Sequence, residues 1–103
     1  MRVYIAGPMS GIHEFNIPAF RAAAIDLRAQ GYDVVNPAEL DENDVLPDGT
    51  AAHPWSFYLR RDLQALLDCD AIYLLPGWQD SRGASLEAHV AEVLGMHITE
   101  ILP

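Results

Sequence analysis

Residues 71–95 read AIYLLPGWQDSRGASLEAHVAEVLG, and this stretch decides the fold class. The apolar run over residues 71–75 is typical of a buried strand, and a Pro-Gly pair ends it. A helix is predicted from about Arg82 to Leu94, with Gly95 as its C-terminal stop. A nearly continuous apolar strand that leads into a helix indicates a parallel sheet covered on both faces.

The same order of strand, turn and helix recurs in the rest of the chain. Residues 38–54 show neither helical nor strand periodicity and predict one long loop. Together the elements predict a single-domain, doubly wound parallel α/β sheet, Rossmann- or flavodoxin-like, with four or five short strands and three main helices. The further strands are predicted over 3–6, 32–35 and 97–101, and the further helices over 17–30, with Asn16 as its cap and Gly31 as its stop, and over 55–68.

Length and charge narrow the classes of function. The 103 residues allow one domain, residues 1–103, and half of them are apolar, which is enough for a core. With 15 acidic and 6 basic side chains the net charge is −9, which works against binding nucleic acid polymers or anionic membranes. The single cysteine, Cys69, allows no internal disulfide, and no apolar run approaches the length of a membrane span, so we expect a cytoplasmic protein.

Two acidic side chains occupy positions where apolar ones are expected. At roughly 100° per residue, Asp62 falls inside the apolar stripe of the second helix, and Glu87 falls on the apolar side of the third. The apolar stripes are predicted to comprise Trp55, Leu59, Leu63 and Leu66 in the second helix and Leu86, Val90, Val93 and Leu94 in the third.

A buried carboxylate without partners is costly, so this pattern needs an explanation. The ordinary explanations are helix capping, an ion pair with a buried arginine, or a solvated position at the edge of the core. The alternative is a pair of carboxylates that converge on a pocket at the strand ends, the arrangement that cleaves glycosidic bonds. Capping suits Asp62 poorly because it lies in mid-helix, and suits Glu87 better, since a glutamate in the first turn of a helix interacts favourably with the helix dipole.

The loop before the third helix carries a candidate anion site. Ser81-Arg82-Gly83 follows a parallel strand and opens a helix, where backbone N–H groups bind anions. Ser81 offers a hydroxyl donor, Arg82 a positive charge, and Gly83 a close approach of the backbone. The same pattern is equally that of a plain helix N-cap. Glu87 lies four residues beyond Gly83, so anion site and candidate nucleophile would share one turn of helix.

These residues, in this order, resemble a known superfamily. The chain carries Tyr4 in the first strand with Ala6-Gly7-Pro8-Met9 after it, Arg61-Asp62-Leu63 in a helix, and Ser81-Arg82-Gly83-Ala84-Ser85-Leu86-Glu87. The pattern is similar to that of the nucleoside 2-deoxyribosyltransferase superfamily. Within it, the sequence looks closest to a short branch common in phages and prophages, called domain of unknown function 4406. The resemblance covers nearly the whole chain.

The resemblance implies a role for each of these residues. Glu87 would be the nucleophile at the sugar C1′, Asp62 would act near the base or as proton donor, and Tyr4 would orient the glutamate. The substrate would be bound by Gly7, Pro8, Met9, Ser81, Arg82 and Gly83. In nucleoside transferases an aspartate usually stands six positions before the catalytic glutamate, whereas Ser81 stands there in this chain, as in hydrolases that contact a 5′-phosphate. A neutral donor at this position removes repulsion against a phosphate dianion.

The resemblance therefore implies hydrolysis of a (deoxy)nucleoside 5′-monophosphate to free base and sugar phosphate, without a cofactor. Base exchange between deoxynucleosides is an alternative, and so is a nucleotide-binding or interaction protein without activity. The partner would be a small nucleotide or nucleoside, and the chain would form a homodimer or a higher homo-oligomer. The arginine that such hydrolases carry after the first strand has no counterpart in residues 7–16, so His13 or Arg82 would take its place.

The remaining histidines and aromatic residues receive ordinary interpretations. No His-Glu-x-x-His spacing is present, and no metal site is predicted. Cys69 is predicted to be a small buried side chain rather than a nucleophile. Trp55 and Tyr58 are predicted to lie in the core, and Trp78 is a candidate stacking surface for the base.

Overall fold

The chain alternates strands and helices over the residues that a computed structural model describes, which are 1–9, 13–40 and 53–100. The strands are β1 (Arg2–Ala6), β2 (Asp33–Val35), β3 (Ala71–Leu74) and β4 (His97–Glu100). The helices are α1 (Ile17–Ala29), α2 (Pro37–Leu40), α3 (Trp55–Leu67) and α4 (Arg82–Val93), with short 3-10 turns over His13–Asn16 and Trp78–Asp80.

In the described part of the chain the sheet has four parallel strands, in the order β2-β1-β3-β4. From β1 the chain passes through α1 to β2 on one side, whereas from β3 it passes through α4 to β4 on the other. The strand order therefore reverses between β1 and β3. In such sheets ligands bind in the crevice at the carboxyl ends of the strands. The predicted α/β class, with a doubly wound parallel sheet and three main helices, is confirmed.

Neighbouring residues of β1 face opposite layers of the core, because side chains alternate along a strand. Ile5 packs in the same apolar cluster as Phe20 of α1. Tyr4 packs in a second cluster with Leu66 of α3 and Ala88 of α4. The sheet is thus covered by α1 on one face and by α3 and α4 on the other, and Tyr4 lies on the side of the helices that carry Asp62 and Glu87.

The entry into α1 differs from the predicted cap. Asn16 has a left-handed backbone (φ 60°), and its side chain caps no helical N–H. Its amide instead donates a hydrogen bond to the carbonyl oxygen of Pro8, at 2.9 Å. Glu14 and Phe15 also have positive φ, 54° and 53°, a conformation that costs roughly 1–2 kcal/mol for each non-glycine residue. Asn16 therefore ties the loop after β1 to the start of α1.

Part of the predicted loop over residues 38–54 is helical. Pro37–Leu40 forms α2, and the side-chain oxygen of Asn36 accepts a hydrogen bond from Ala38 N at 3.0 Å. Residues 41–52 lie outside the described part of the chain. The sequence missed α2 because one turn of helix is too short to show a period of 3.6 residues.

The other predicted element ends agree with the structure to within one residue. Gly31 and Gly95 have φ of 94° and 71°, which only glycine adopts without strain, and they follow the ends of α1 and α4 as predicted. The predicted end of the last strand, at Ile101, lies outside the described residues.

The buried face of α4 is only partly the predicted one. Glu87 is buried as predicted, with 6% of its surface exposed. Three of the four large residues predicted beside it are nevertheless exposed: Leu86, Val93 and Leu94. The other residues on the buried face are small: Ala84, Ala88 and Ala91. Alanines allow the helix to approach the sheet closely, which the larger side chains would prevent.

Predictions for the core of α3 and its surroundings have mixed outcomes. Leu66 is fully buried as predicted, whereas Trp55 is 47% exposed and does not lie in the core. Cys69 is a buried free thiol, as predicted, and burial raises its pKa to about 11. No helix in residues 1–9, 13–40 and 53–100 combines the length and apolar character needed to cross a membrane.

Candidate functional site

A cavity of about 600 Å³ lies at the carboxyl edge of the sheet, between the ends of the strands and the helices on both faces. It has lining residues from the end of β1, from the segment after β2, and from all four helices. Six of the predicted site residues line it: Gly7, Met9, Asp62, Ser81, Gly83 and Glu87. Tyr4 is fully buried and contacts one of them, whereas Pro8 and Arg82 are not among the lining residues.

Gly7 lines the cavity at a position that has no room for a side chain. A Cβ atom built on Gly7 would lie 2.8 Å from Cβ of Leu75, closer than real side chains approach. The backbone N–H of Leu75 donates a hydrogen bond to Ala6 O at 2.8 Å, so the chain segments after β1 and β3 lie side by side where the strand order reverses.

Glu87 is the most deeply placed acidic side chain of the cavity. It lies in the second turn of α4, so its burial is not explained by a favourable position in the first turn. The hydroxyl of Tyr4 donates a hydrogen bond to Oε2 of Glu87. Burial, and then the negative charge of Asp62, raise the pKa of Glu87 to about 8, although the hydrogen bond from Tyr4 acts in the opposite direction.

Asp62 faces the same cavity from the middle of α3. Its Oδ1 atom is enclosed and has no hydrogen-bond partner within the described residues. Burial raises its pKa to about 6, and the positive charge of Arg61 opposes that rise. In the described part of the chain, neither a helix cap nor an ion pair explains why the Asp62 carboxyl group is buried. An enclosed acceptor without a partner is a costly feature of a fold and marks a place where a ligand or water donates.

Ser81 is the N-cap of α4. Its backbone is extended, and its Oγ accepts a hydrogen bond from Ala84 N at 3.2 Å, so the ordinary cap interpretation holds. The hydroxyl proton remains available to an acceptor in the cavity, since a hydroxyl both donates and accepts. A Cβ atom on Gly83 would meet only Leu59 Cδ1, at 3.9 Å, which is an ordinary contact. The fold thus does not require glycine at position 83.

The positive charge predicted from Arg82 lies elsewhere. The Arg82 guanidinium stacks on the Trp55 ring, with 4.8 Å from Cζ to the ring centroid, and does not line the cavity. The arginines that do line it are on α1. Arg28 is bound to the Glu39 carboxylate, at 2.7 Å and 3.0 Å, and to the carbonyl oxygen of Val34. Sequence reasoning overlooked both, because charged residues on an amphipathic helix are normally solvated.

Arg21 is the second of these arginines, and it is exposed where it lines the cavity. Within the described residues it forms no hydrogen bond or ion pair, although it lies near enough to Glu39 to lower the pKa of that carboxyl. Arg21 is therefore a cation of the cavity that is not neutralised by direct contact with a carboxylate in the described part of the chain. The side chain of His13, the other candidate, lies outside the described part of the chain.

The aromatic side chains at the cavity are also not the predicted ones. Trp78 donates its indole N–H to Glu100 Oε1 at 3.0 Å and packs against the core, so it provides no stacking surface. Tyr58 and Trp55, which were predicted to be core residues, both line the cavity. They lie on α3 at a spacing of three residues, so that one helical face presents both rings.

Asn36 is a further lining residue that was not singled out from the sequence. It lies directly after β2 and is 4% exposed. A polar residue immediately after a buried parallel strand is the signal that would have identified it. In the described part of the chain no group of three or more His, Cys, Asp or Glu side chains is arranged to hold a metal ion.

The chain matches a known protein family. A family model described as Domain of unknown function (DUF4406) matches residues 1–100. No curated protein matches the chain.

Proposed function

Since the chain belongs to the family described as Domain of unknown function (DUF4406), and that description states no activity, we propose from the site that it is an N-glycosidase. Its substrate would be a (deoxy)nucleoside 5′-monophosphate, and its products free base and sugar 5-phosphate. The observation that carries the proposal is the pair of carboxyl groups, Asp62 and Glu87, which face one cavity at the reversal of strand order. The resemblance to nucleoside 2-deoxyribosyltransferases supports the same residues.

In the proposed reaction Glu87 is the nucleophile. Its carboxylate attacks C1′ of the sugar while the bond from C1′ to the base nitrogen breaks, and protonated Asp62 gives its proton to the departing base. Water then attacks C1′ of the glycosyl ester, releases Glu87 as a carboxylate, and loses a proton to Asp62. Positive charge develops on the sugar in both steps, and the Glu87 carboxylate stabilises it. Tyr4 fixes the orientation of that carboxylate through its hydrogen bond.

The phosphate is placed at the start of α4. The hydroxyl of Ser81 and the backbone N–H groups near Gly83 are donors for an anion, and the helix dipole favours negative charge there. The absence of a side chain at Gly83 leaves room for this approach. Arg82 is engaged with Trp55, so Arg21 is the arginine proposed to offset the substrate's charge in a chain whose net charge is −9.

The proposal predicts a bell-shaped dependence of kcat/KM on pH. The pKa of Asp62 is about 6 and that of Glu87 about 8, and between these values the pair holds one proton. The reaction needs Glu87 as the carboxylate and Asp62 as the carboxylic acid. Because Glu87 has the higher pKa, this is the minor arrangement of the single proton, and its population follows the same two pH limits. The profile is therefore expected to rise near pH 6 and fall near pH 8, both limbs belonging to the coupled pair.

The direct test is incubation with a panel of ribo- and deoxyribonucleoside monophosphates and nucleosides, with release of free base measured by chromatography. At least one monophosphate should release base, and Glu87→Gln should abolish the release. Glu92→Gln, an exposed site on the same helix, is the matched control and should leave it unchanged. If a second base yields a new nucleoside with little hydrolysis, base exchange is the activity. Thermal stabilisation by ligands without any turnover would identify a binding protein instead.

A substitution of Gly83 separates fold from function. Ala has a higher helix propensity than Gly by roughly 0.5–1 kcal/mol, and the added Cβ meets only Leu59 at an ordinary distance. Gly83→Ala is thus expected to unfold at an equal or higher urea concentration. By the proposal its KM for the monophosphate should rise, because the methyl group occupies the approach of the phosphate. An unchanged KM would show that the phosphate does not bind at Gly83.

The proposal includes a homodimer or higher homo-oligomer. Large apolar side chains are exposed on α4 and on the edge strand β4, where a second copy would cover them: Leu86, Val93, Leu94 and Ile98. Val93 is 70% exposed and is not among the residues that line the cavity, which makes Val93→Glu a suitable variant. Light scattering should give a multiple of the chain mass for the parent and a smaller mass for the variant. A monomeric parent chain would refute this part.

A further inference from the structure

Asn36 combines deep burial with an unused hydrogen-bond donor. Its side chain is 4% exposed and lines the cavity. The Oδ1 atom accepts a hydrogen bond from Ala38 N at 3.0 Å. Because a backbone N–H requires an acceptor, this contact determines which end of the amide is oxygen and which is nitrogen.

The nitrogen end of Asn36 has no acceptor within the described residues. An amide nitrogen carries two N–H groups, and Nδ2 is not among the enclosed side-chain atoms without a partner, so these N–H groups are accessible from the cavity that Asn36 lines. The one side-chain hydrogen bond of Asn36 in the described part of the chain joins Oδ1 to α2, which leaves Nδ2 to donate to a ligand in the cavity. A ligand atom opposite it must therefore be an acceptor.

Asn36 lies at the same edge of the sheet as Glu87. In the register between β2 and β1, Val35 is the partner of Tyr4, so Asn36 lies one residue beyond the level of Tyr4. Adjacent strands are about 4.8 Å apart. The Asn36 amide thus lies at the same sheet edge as the Tyr4 and Glu87 pair, on the side of the cavity opposite to the start of α4.

We propose that Asn36 Nδ2 is a specificity-determining donor that selects bases presenting a carbonyl oxygen over bases presenting an amino group in its place. The inference rests on the proposed function, because it assumes that the ligand is a nucleotide with its phosphate at α4. An amino group opposite Nδ2 would leave two donors facing each other without an acceptor. Sites that offer only a donor discriminate strongly against such analogues.

Binding to the Glu87→Gln chain tests this proposal, since the ligand is then not consumed. Calorimetry would compare two pairs of deoxynucleoside 5′-monophosphates that differ by a carbonyl in place of an amino group: uracil against cytosine, and hypoxanthine against adenine. The carbonyl member of at least one pair is expected to bind roughly tenfold to hundredfold more tightly.

Two variants of Asn36 in the same background identify the atom responsible. Asn36→Asp keeps an oxygen for Ala38 N and replaces the donor by an acceptor, so the preference should reverse toward the amino base. The added negative charge weakens all monophosphates alike and cancels in the ratio. Asn36→Ser keeps an oxygen that accepts from Ala38 N but reaches less far, and its ratio should approach one. If Asn36→Asp does not fold, the affinity ratio of Asn36→Ser still tests the assignment.

The outcomes separate the two proposals. Equal affinity within both pairs, or a preference that neither variant changes, overturns the assignment to Asn36. If the carbonyl preference is found and depends on Asn36 while the parent chain releases no base, the hydrolase proposal fails and the specificity assignment stands. If the parent chain releases base from both members of each pair at equal kcat/KM, the hydrolase stands and the specificity assignment fails.

Discussion

Replacing Glu87 by Gln should make the protein relatively more stable as the pH rises. The pKa of Glu87 is about 8 in the folded chain, against 4.5 for an unperturbed glutamate, because the side chain is buried and lies near Asp62. The folded state therefore binds this proton more tightly than the unfolded state does. The stability that comes from the protonated carboxyl is complete below about pH 4.5 and is lost as the pH rises through about 8.

The size of the effect follows from the two pKa values. At about 1.36 kcal/mol for each pH unit between them, ionisation of Glu87 lowers the free energy of unfolding by up to about 5 kcal/mol. Glutamine does not titrate, and its amide oxygen still accepts the hydrogen bond from Tyr4. The difference in unfolding free energy between Glu87→Gln and the parent should thus grow by several kcal/mol from pH 5 to pH 9, in favour of the variant.

Urea unfolding at pH 5, 7 and 9 measures this difference. Glu92→Gln, exposed on the same helix, is the control and should show no comparable trend. The Asp62→Asn variant, which keeps Glu87, should show a weaker pH dependence of the free energy of unfolding, because the charge of Asp62 is one cause of the raised pKa of Glu87. A difference that stays constant from pH 5 to pH 9, or that shifts in favour of the parent, would refute the reasoning that Glu87 is buried next to a second acid.

Further predictions concern single contacts. Tyr4→Phe removes the hydrogen bond that lowers the pKa of Glu87, so the alkaline limb of the kcat/KM profile should move to higher pH; an unmoved limb would contradict the contact. Gly7→Ala should lower the free energy of unfolding by about 1–3 kcal/mol in urea, because its Cβ would lie 2.8 Å from Leu75. Arg82→Ala should cost about 0.5–1 kcal/mol through the lost stacking on Trp55 and leave nucleotide affinity within about twofold by calorimetry; a larger loss of affinity would return Arg82 to the site.

The sequence predicted the elements of the fold well because apolar runs, glycine stops and proline positions are local signals. Both ends of six elements and the start of the last strand follow from such residues, and Gly31 and Gly95 are examples. Asp62 and Glu87 were identifiable because a carboxylate within an apolar stripe contradicts its surroundings. Single-domain organisation over residues 1–103 and a cytoplasmic location stay predictions.

Long-range contacts limited the prediction of the site. Asn16 is a good cap residue by type, but the carbonyl of Pro8 competes for its side chain. Arg82 has the right charge at the right turn, but Trp55, which is 27 residues earlier, holds its guanidinium. Asn36 and Arg21 belong to the cavity only because β2 and α1 are placed beside β1. None of these pairings has a local signature.

The alanines on the inner face of α4 influence the environment of Glu87. Ala84, Ala88 and Ala91 set how closely the helix axis lies to the sheet, and through it the separation of Glu87 from Tyr4. A bulkier residue such as leucine at Ala88 would lift α4, admit water around the carboxyl, and return its pKa toward that of an ordinary glutamate. The pKa of Glu87 thus depends on the size of side chains that line the other positions of the same helical face and contact no ligand.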